Sequence, residues 1–182
     1  MSVAKSPVNI VTFANAMIFD EQGTELKLGT LWRERTIIFV FLRHFGCVSC
    51  RGHALDVWRQ RESYEKTGAK IVFIGNGNPH FIEHFKNDLG MEGAPIYTDP
   101  SLISFYAAGF KRGFLVALGP HAIVNGIKML IKGARQGATA GDLWQLGGVI
   151  AVKPDGRVAY HYISEVMGDF PPTKDLDEFS TE

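Results

Sequence analysis

Six consecutive apolar residues, Ile37 to Leu42 of "TIIFVFL", form the longest uninterrupted hydrophobic run of the chain. A run of that length, β-branched at its start, predicts a central strand buried on both faces. "AKIVFIG" (Ala69 to Gly75) predicts a second buried strand. Between the two the period changes. From Cys50 onward, Ala54, Val57, Trp58 and Tyr64 recur every three to four residues, with Arg59, Arg61, Glu62, Glu65 and Lys66 interleaved. That spacing predicts one helix running to Thr67-Gly68, where glycine stops it.

After the second strand, "NGNP" reads as a turn and "HFIEHFKNDLG" as an amphipathic helix with Phe81, Ile82 and Phe85 on one side. "PIYT" fits a short strand, and "DPS" at 99–101 a helix start in which Asp99 caps and Pro100 takes the first helical position. Before the central strand, "VNIVTFANAMIFDEQGTELKLGTLW" reads as short strand pieces around the turn Asp20-Glu21-Gln22-Gly23. Near the other end, "GGVIAVKPDGRVAYHYIS" predicts two antiparallel strands about Pro154-Asp155-Gly156. "FPPTKDLDEF" would add a last short helix from Pro171-Pro172. Such β-α-β-α alternation implies an α/β fold, a parallel or mixed sheet covered by helices.

Residues 109–141 break the pattern: Gly-rich ends enclose a helical stripe at Ile123, Ile127, Leu130 and Ile131. They read as an insertion within a single domain spanning 1–182. Lys128, Lys132 and Arg135 beside the stripe fit a lid, a docking helix or a membrane-surface contact as well as plain packing on the sheet.

Composition narrows the class. The chain has 182 residues, 46% of them apolar, enough for one hydrophobic core. Nineteen basic and nineteen acidic residues cancel, so no general attraction to nucleic acid or anionic lipid is expected. No signal-peptide pattern opens the sequence and no apolar run could span a bilayer, which makes a cytoplasmic protein with no integral membrane association the expectation.

The only two cysteines, Cys47 and Cys50, stand in "RHFGCVSCRG", where the first strand gives way to the helix. Unpaired amides and the dipole at a helix N-terminus stabilise an anion such as a thiolate. Arg43, His44, Arg51 and His53 flank the pair, and no carboxylate occurs between Glu34 and Asp56, a setting that lowers a thiol pKa. C-x-x-C between strand and helix reads as redox-active. Three other readings stand beside it. A structural disulfide is disfavoured in a reducing compartment. A zinc site from His44, Cys47, Cys50 and His53 has the right residue types but confines all four ligands to ten residues. Two buried cysteines without function complete the set.

"FLRHFGCVSCR", "IYTDPSL", "WQLGGVIAVKPDGRV" and "GDFPP", in this order, resemble the peroxiredoxin-like (AhpC/TSA-type) C-x-x-C proteins of the thioredoxin-like superfamily. The resemblance implies a thioredoxin-like fold with a mixed central sheet flanked by helices. It implies thiol-dependent reduction of a peroxide-type substrate, some members being associated with prostaglandin-endoperoxide reduction, and a thioredoxin- or glutathione-type electron donor with no cofactor. It also allows a homodimer. The chain departs from the P-x-x-x-T-x-x-C of typical peroxiredoxins, carrying Arg43, Cys47 and Cys50 at those positions, and has "QLGG" where thioredoxins place a cis-proline.

By the thioredoxin pattern Cys47 attacks and Cys50 resolves; by the peroxiredoxin pattern Cys50 takes the peroxidatic place. The helix stripe turns Cys50 toward the core, which favours Cys47. The expected cycle is thiolate attack, a sulfenic acid or mixed disulfide, closure of the Cys47–Cys50 disulfide and reduction by an external dithiol. The alternative is a redox sensor that oxidises once. Arg43 is a candidate to hold the thiolate or a substrate oxygen, His44 to tune charge, and Gly147 with Gly148 to allow close backbone approach. "GNGNP" lacks the third glycine of a dinucleotide fingerprint.

Overall fold

The computed structural model describes residues 8–113 and 141–172. Its elements in chain order are α1 (Ile10–Asn15), β1 (Met17–Phe19), β2 (Glu25–Lys27), β3 (Ile37–Phe41), α2 (Val48–Arg59), α3 (Arg61–Glu65), β4 (Lys70–Gly75), α4 (Phe81–Leu89), β5 (Ile96–Thr98), α5 (Ile103–Ala107), β6 (Gly148–Val152) and β7 (Val158–Ile163). The expected helices around Ile123–Ile131 and after Pro172 lie outside the described residues.

The strands form one mixed sheet in the order β2-β1-β5-β4-β3-β6-β7. β3, β4 and β5 run parallel, whereas β1–β2, β3–β6 and β6–β7 pair antiparallel. The two predicted buried strands are thus neighbours at the centre, and β3 is buried at every position. Because side chains alternate along a strand, the apolar run serves two cores. Ile38, Val40 and Leu42 face α2 and α4 together with Phe73, Ala54, Val57 and Phe85. Ile37, Phe39 and Phe41 face α1 and α5 together with Phe13, Trp32 and Phe105. This is the thioredoxin-like arrangement of helices on both faces of a mixed sheet.

Three local expectations need correction. Residues 10–15 are helical, not extended. Asn9 caps the helix, its Oδ1 accepting the N–H of Thr12 at 3.1 Å, and the Asn9 N–H reaches Ala107 O at 2.8 Å. Capping and the burial of Phe13 override the strand preference of Ile10, Val11 and Thr12. The helix after the cysteines starts at Val48 and breaks at Gln60, giving α2 and α3. There the Trp58 carbonyl accepts from Arg61 Nη1 at 3.0 Å, and the guanidinium lies 4.5 Å from the Trp58 ring centre. Finally, α5 begins at Ile103, not at Pro100. Asp99 still caps it from a distance, with Oδ2 accepting the N–H of Ser104 at 2.7 Å.

Candidate active site

The carboxyl ends of β3 and β4 lie side by side, and the chain leaving β3 turns through Arg43, His44, Phe45 and Gly46 into α2. Phe45 anchors this turn over Gly75, where any Cβ would collide with its ring, and packs edge-on against Phe85. Cys47 consequently falls at the N-cap of α2 with an extended backbone (φ −71°, ψ 119°), and Cys50 sits one turn on, facing the core. Both are free thiols and both are buried, Cys47 with 2% and Cys50 with 3% of its surface exposed.

The two sulfurs have opposite environments. A hydrogen bond from the Cys50 thiol holds Cys47 down to about 6, against the cost of its burial; the Cys50 and Ser49 amides and the Arg43 charge add to it. The sulfur makes no full capping hydrogen bond, so the amides act mainly through their field. Donating that hydrogen bond and being buried beside a thiolate push Cys50 well above the ordinary thiol range. The pair is therefore arranged as thiolate and thiol sharing one proton, with the N–H of Arg43 directed at Cys50 Sγ from 3.3 Å.

Of the four basic neighbours only Arg43 acts as a cation on the thiols. Its side chain is buried against neutral acceptors: Nε and Nη2 donate to the carbonyl of Leu143, Nε at 2.8 Å, and Nη1 to Met167 Sδ. Among the described residues no carboxylate pairs with it. Arg51 instead points to Asp88, at 3.0 Å. His44 is pushed down to about 4 by burial and by the Arg43 charge, and burial takes His53 to about 3, so both imidazoles are neutral at pH 7. No three His, Cys, Asp or Glu side chains converge as metal ligands among the described residues. Gly147 lies against the Phe41 carbonyl, which a Cβ would strike, and Gly148 against Tyr162 and Phe110. Their close approach is of backbone to backbone and to a ring.

Other participants carried no signal in the sequence reading. Asn76, at the end of β4, bonds both to the Arg43 carbonyl and to the Asp142 N–H. Residues 164–170 strap across α2: Phe170 stacks on His53 with ring centres 4.1 Å apart, and Met167 meets Arg43. Asp169 holds the strap, accepting from Tyr162 Oη at 2.6 Å and from the Glu165 N–H at 2.7 Å. "GDFPP" marked this segment as part of a resemblance, without revealing that it covers the cysteine helix.

A C-x-x-C pair opening the helix after a central strand of a thioredoxin-like sheet defines a thiol-dependent oxidoreductase. Residues 56–166 match the family model described as AhpC/TSA antioxidant enzyme. The chain is 31% identical to the prostamide/prostaglandin F synthase of Xenopus tropicalis over 184 residues, covering 96% of this chain and 87% of that protein. This protein belongs to the AhpC/TSA antioxidant enzyme family. It is also 27% identical to the thioredoxin-like protein AAED1, chloroplastic, of Arabidopsis thaliana, covering 87% of this chain and 67% of that one. Among solved structures, peroxidoxin BcpB from Mycobacterium tuberculosis shares the fold with a TM-score of 0.64 at 15% identity, covering 90% of each chain. A peroxiredoxin-like protein from Aquifex aeolicus does so at 0.61 and 12% identity, covering 90% of this chain and 82% of that one. Among the described residues no helix is long and apolar enough to cross a membrane.

Proposed function

We propose that the protein reduces the O–O bond of a peroxide-type substrate through a Cys47/Cys50 dithiol–disulfide cycle, with Cys47 as nucleophile. The observation that carries this reading is the asymmetric pair itself: a thiolate-favouring sulfur at a helix N-cap, bonded by its partner thiol, beside an arginine that pairs with no carboxylate among the described residues. An isolated buried cation is costly, and a neighbouring thiolate compensates it. Cys47 S⁻ attacks one peroxide oxygen and the O–O bond breaks. With a hydroperoxide the departing alkoxide takes a proton and leaves as alcohol, and Cys47 becomes a sulfenic acid; with an endoperoxide the freed alkoxide is protonated while the other oxygen stays on Cys47 as a sulfenate ester. Cys50 then loses its proton and attacks the Cys47 sulfur, expelling water from the sulfenic acid, or the substrate's second alcohol from the sulfenate ester, and closing the disulfide. An external dithiol of thioredoxin or glutathione type restores both thiols.

Two observations bear on the substrate. A cleft of about 330 Å³ lies beside the cysteine turn, lined by Phe45, Phe81, Phe85 and His84 with the Arg51–Asp88 pair at its side. Its apolar walls suit an organic hydroperoxide or endoperoxide, and several relatives are named prostamide/prostaglandin F synthase. The test is steady-state consumption of hydrogen peroxide, an organic hydroperoxide and a lipid endoperoxide with a thioredoxin system as donor. Turnover with one of them, lost in Cys47→Ser, is expected. Folded protein whose thiols survive all three overturns the reading.

The burial of both sulfurs favours a second reading, a redox sensor that oxidises once when the strap opens and does not turn over. A single stoichiometric oxidation, with no sustained consumption, selects it.

A further inference from the structure

Asn76 belongs to the "GNGNP" stretch, which lacks the third glycine of a dinucleotide fingerprint, and it is only 1% exposed. A sealed carboxamide at the mouth of a sheet is costly unless its groups are satisfied. Here both are. Nδ2 donates to the carbonyl oxygen of Arg43 at the end of the neighbouring strand, and Oδ1 accepts the N–H of Asp142 at 2.6 Å. The approach is so close that a Cβ on Gly141, whose φ is +103°, would fall on Asn76 Oδ1.

These bonds close a ring. Asp142 is followed by Leu143, whose carbonyl accepts the Arg43 guanidinium. Asp142 is itself fixed, its carboxylate accepting from Arg112 Nε at 3.0 Å and from the Trp144 N–H at 2.8 Å. Starting at the Arg43 carbonyl, the path runs through the Asn76 amide, the Asp142 N–H and the Leu143 carbonyl back to the Arg43 side chain. Out of the ring project the two features that reach the dithiol, the Arg43 N–H at Cys50 Sγ and the Arg43 charge.

We infer that Asn76 is a positioning residue of the dithiol site, fixing both ends of Arg43 so that its N–H and its charge are held toward Cys50 and Cys47. It acts through Arg43. The position asks for one donor and one acceptor diverging from a short stem, which asparagine supplies and aspartate, leucine and alanine do not. Aspartate would set a carboxylate against the Arg43 carbonyl, which cannot donate to it, and would add a negative charge in the ring that holds Arg43, opposing the thiolate.

The inference rests on Cys47 being the thiolate, and the experiment separates the two claims. Reduced protein is alkylated with iodoacetamide across pH 4–10, the Cys47 adduct is followed by mass spectrometry, and thermal unfolding is recorded in parallel. Opening of the site changes the rate at every pH, whereas the midpoint reports ionisation alone. In wild type the midpoint should lie near 6. Asn76→Ala should raise it by about one unit, a roughly tenfold lower thiolate fraction below the midpoint. Asn76→Asp should raise it further, and being nearly isosteric it serves if the alanine variant does not fold. A low wild-type midpoint unmoved in the folded variants, whatever their rate or stability, overturns the inference alone. A wild-type midpoint in the ordinary thiol range overturns both claims.

Discussion

The Arg43 guanidinium donates to the carbonyl oxygen of Leu143, 100 positions further along the chain, with Nε at 2.8 Å. One side chain thereby ties the cysteine turn to the segment entering β6, and through Met167 to the strap that follows β7. Its charge remains without a carboxylate among the described residues and lowers both thiols. The residue is latch and counter-charge at once.

Arg43→Met, which keeps the aliphatic bulk and removes the charge and donors, should raise the Cys47 midpoint and slow peroxide reduction about tenfold at pH 6–7. Arg43→Lys should recover part of the midpoint but not the latch, because an ammonium cannot span the Leu143 carbonyl with two parallel N–H groups. Stopped-flow oxidation across pH distinguishes the two effects. Equal loss in both variants at every pH would reduce Arg43 to a structural tether.

The thiol pair also predicts how stability depends on pH. Cys47 is depressed in the folded state, so its contribution is fully present above the unfolded thiol value of about 8.5 and is lost as pH falls through about 6. Cys50 is raised, so the unfolded chain releases its proton first above about 8.5 and the folded state loses stability from there upward. Denaturant unfolding of the reduced protein should therefore show stability rising from pH 6 to about 8.5 relative to Cys47→Ser. Cys50→Ala removes the donor to Cys47 and should flatten that rise, whereas Cys50→Ser, which keeps a hydroxyl donor, should preserve most of it.

Sequence reading reached the parts of this protein that rest on local pattern. The apolar runs of β3 and β4, the Pro154-Asp155-Gly156 hairpin and the C-x-x-C at the strand-to-helix turn need only periodicity and turn chemistry, and the sheet contains them as expected. What escaped depends on partners distant in sequence. Ile10, Val11 and Thr12 read as strand because the cap at Asn9 and the docking of α1 on α5 outweigh their propensity only in the folded chain. Near the cysteines, four basic residues read as four charges. Burial neutralises two of them and Asp88 pairs a third, neither of which is visible in "RHFGCVSCRGH".

The misread α1 bears directly on stability. Phe13 is fully buried and stacks on Trp32 at 5.8 Å between ring centres, edge-on to Phe39 at 5.7 Å. Phe13→Ala should cost about 3–5 kcal/mol, the range for emptying an aromatic site in a packed core. Chemical denaturation measures it. A loss under about 1 kcal/mol would mean that α1 does not seal this face of the sheet.

Access to the thiols predicts the behaviour of the strap. Cys47 is 2% exposed, so any reagent must await a local opening. The strap closes the site through Phe170 on His53, Met167 on Arg43, and Asp169 on Tyr162 and the Glu165 N–H. Phe170→Ala removes the stacked ring without touching a charge. It should speed alkylation of Cys47 several-fold at every pH while leaving the midpoint near 6, because the opening equilibrium multiplies the rate and the thiolate's own surroundings are unchanged. Asp169→Ala should act the same way by freeing the strap, with Tyr162, raised first by its own burial, returning part of the way toward the ordinary tyrosine range as it loses the Asp169 acceptor that also raises it. Alkylation profiles of both variants, read beside ultraviolet titration of tyrosine, decide the matter. A shifted midpoint with an unchanged rate plateau would show that these residues belong to the charge environment of the dithiol rather than to its cover.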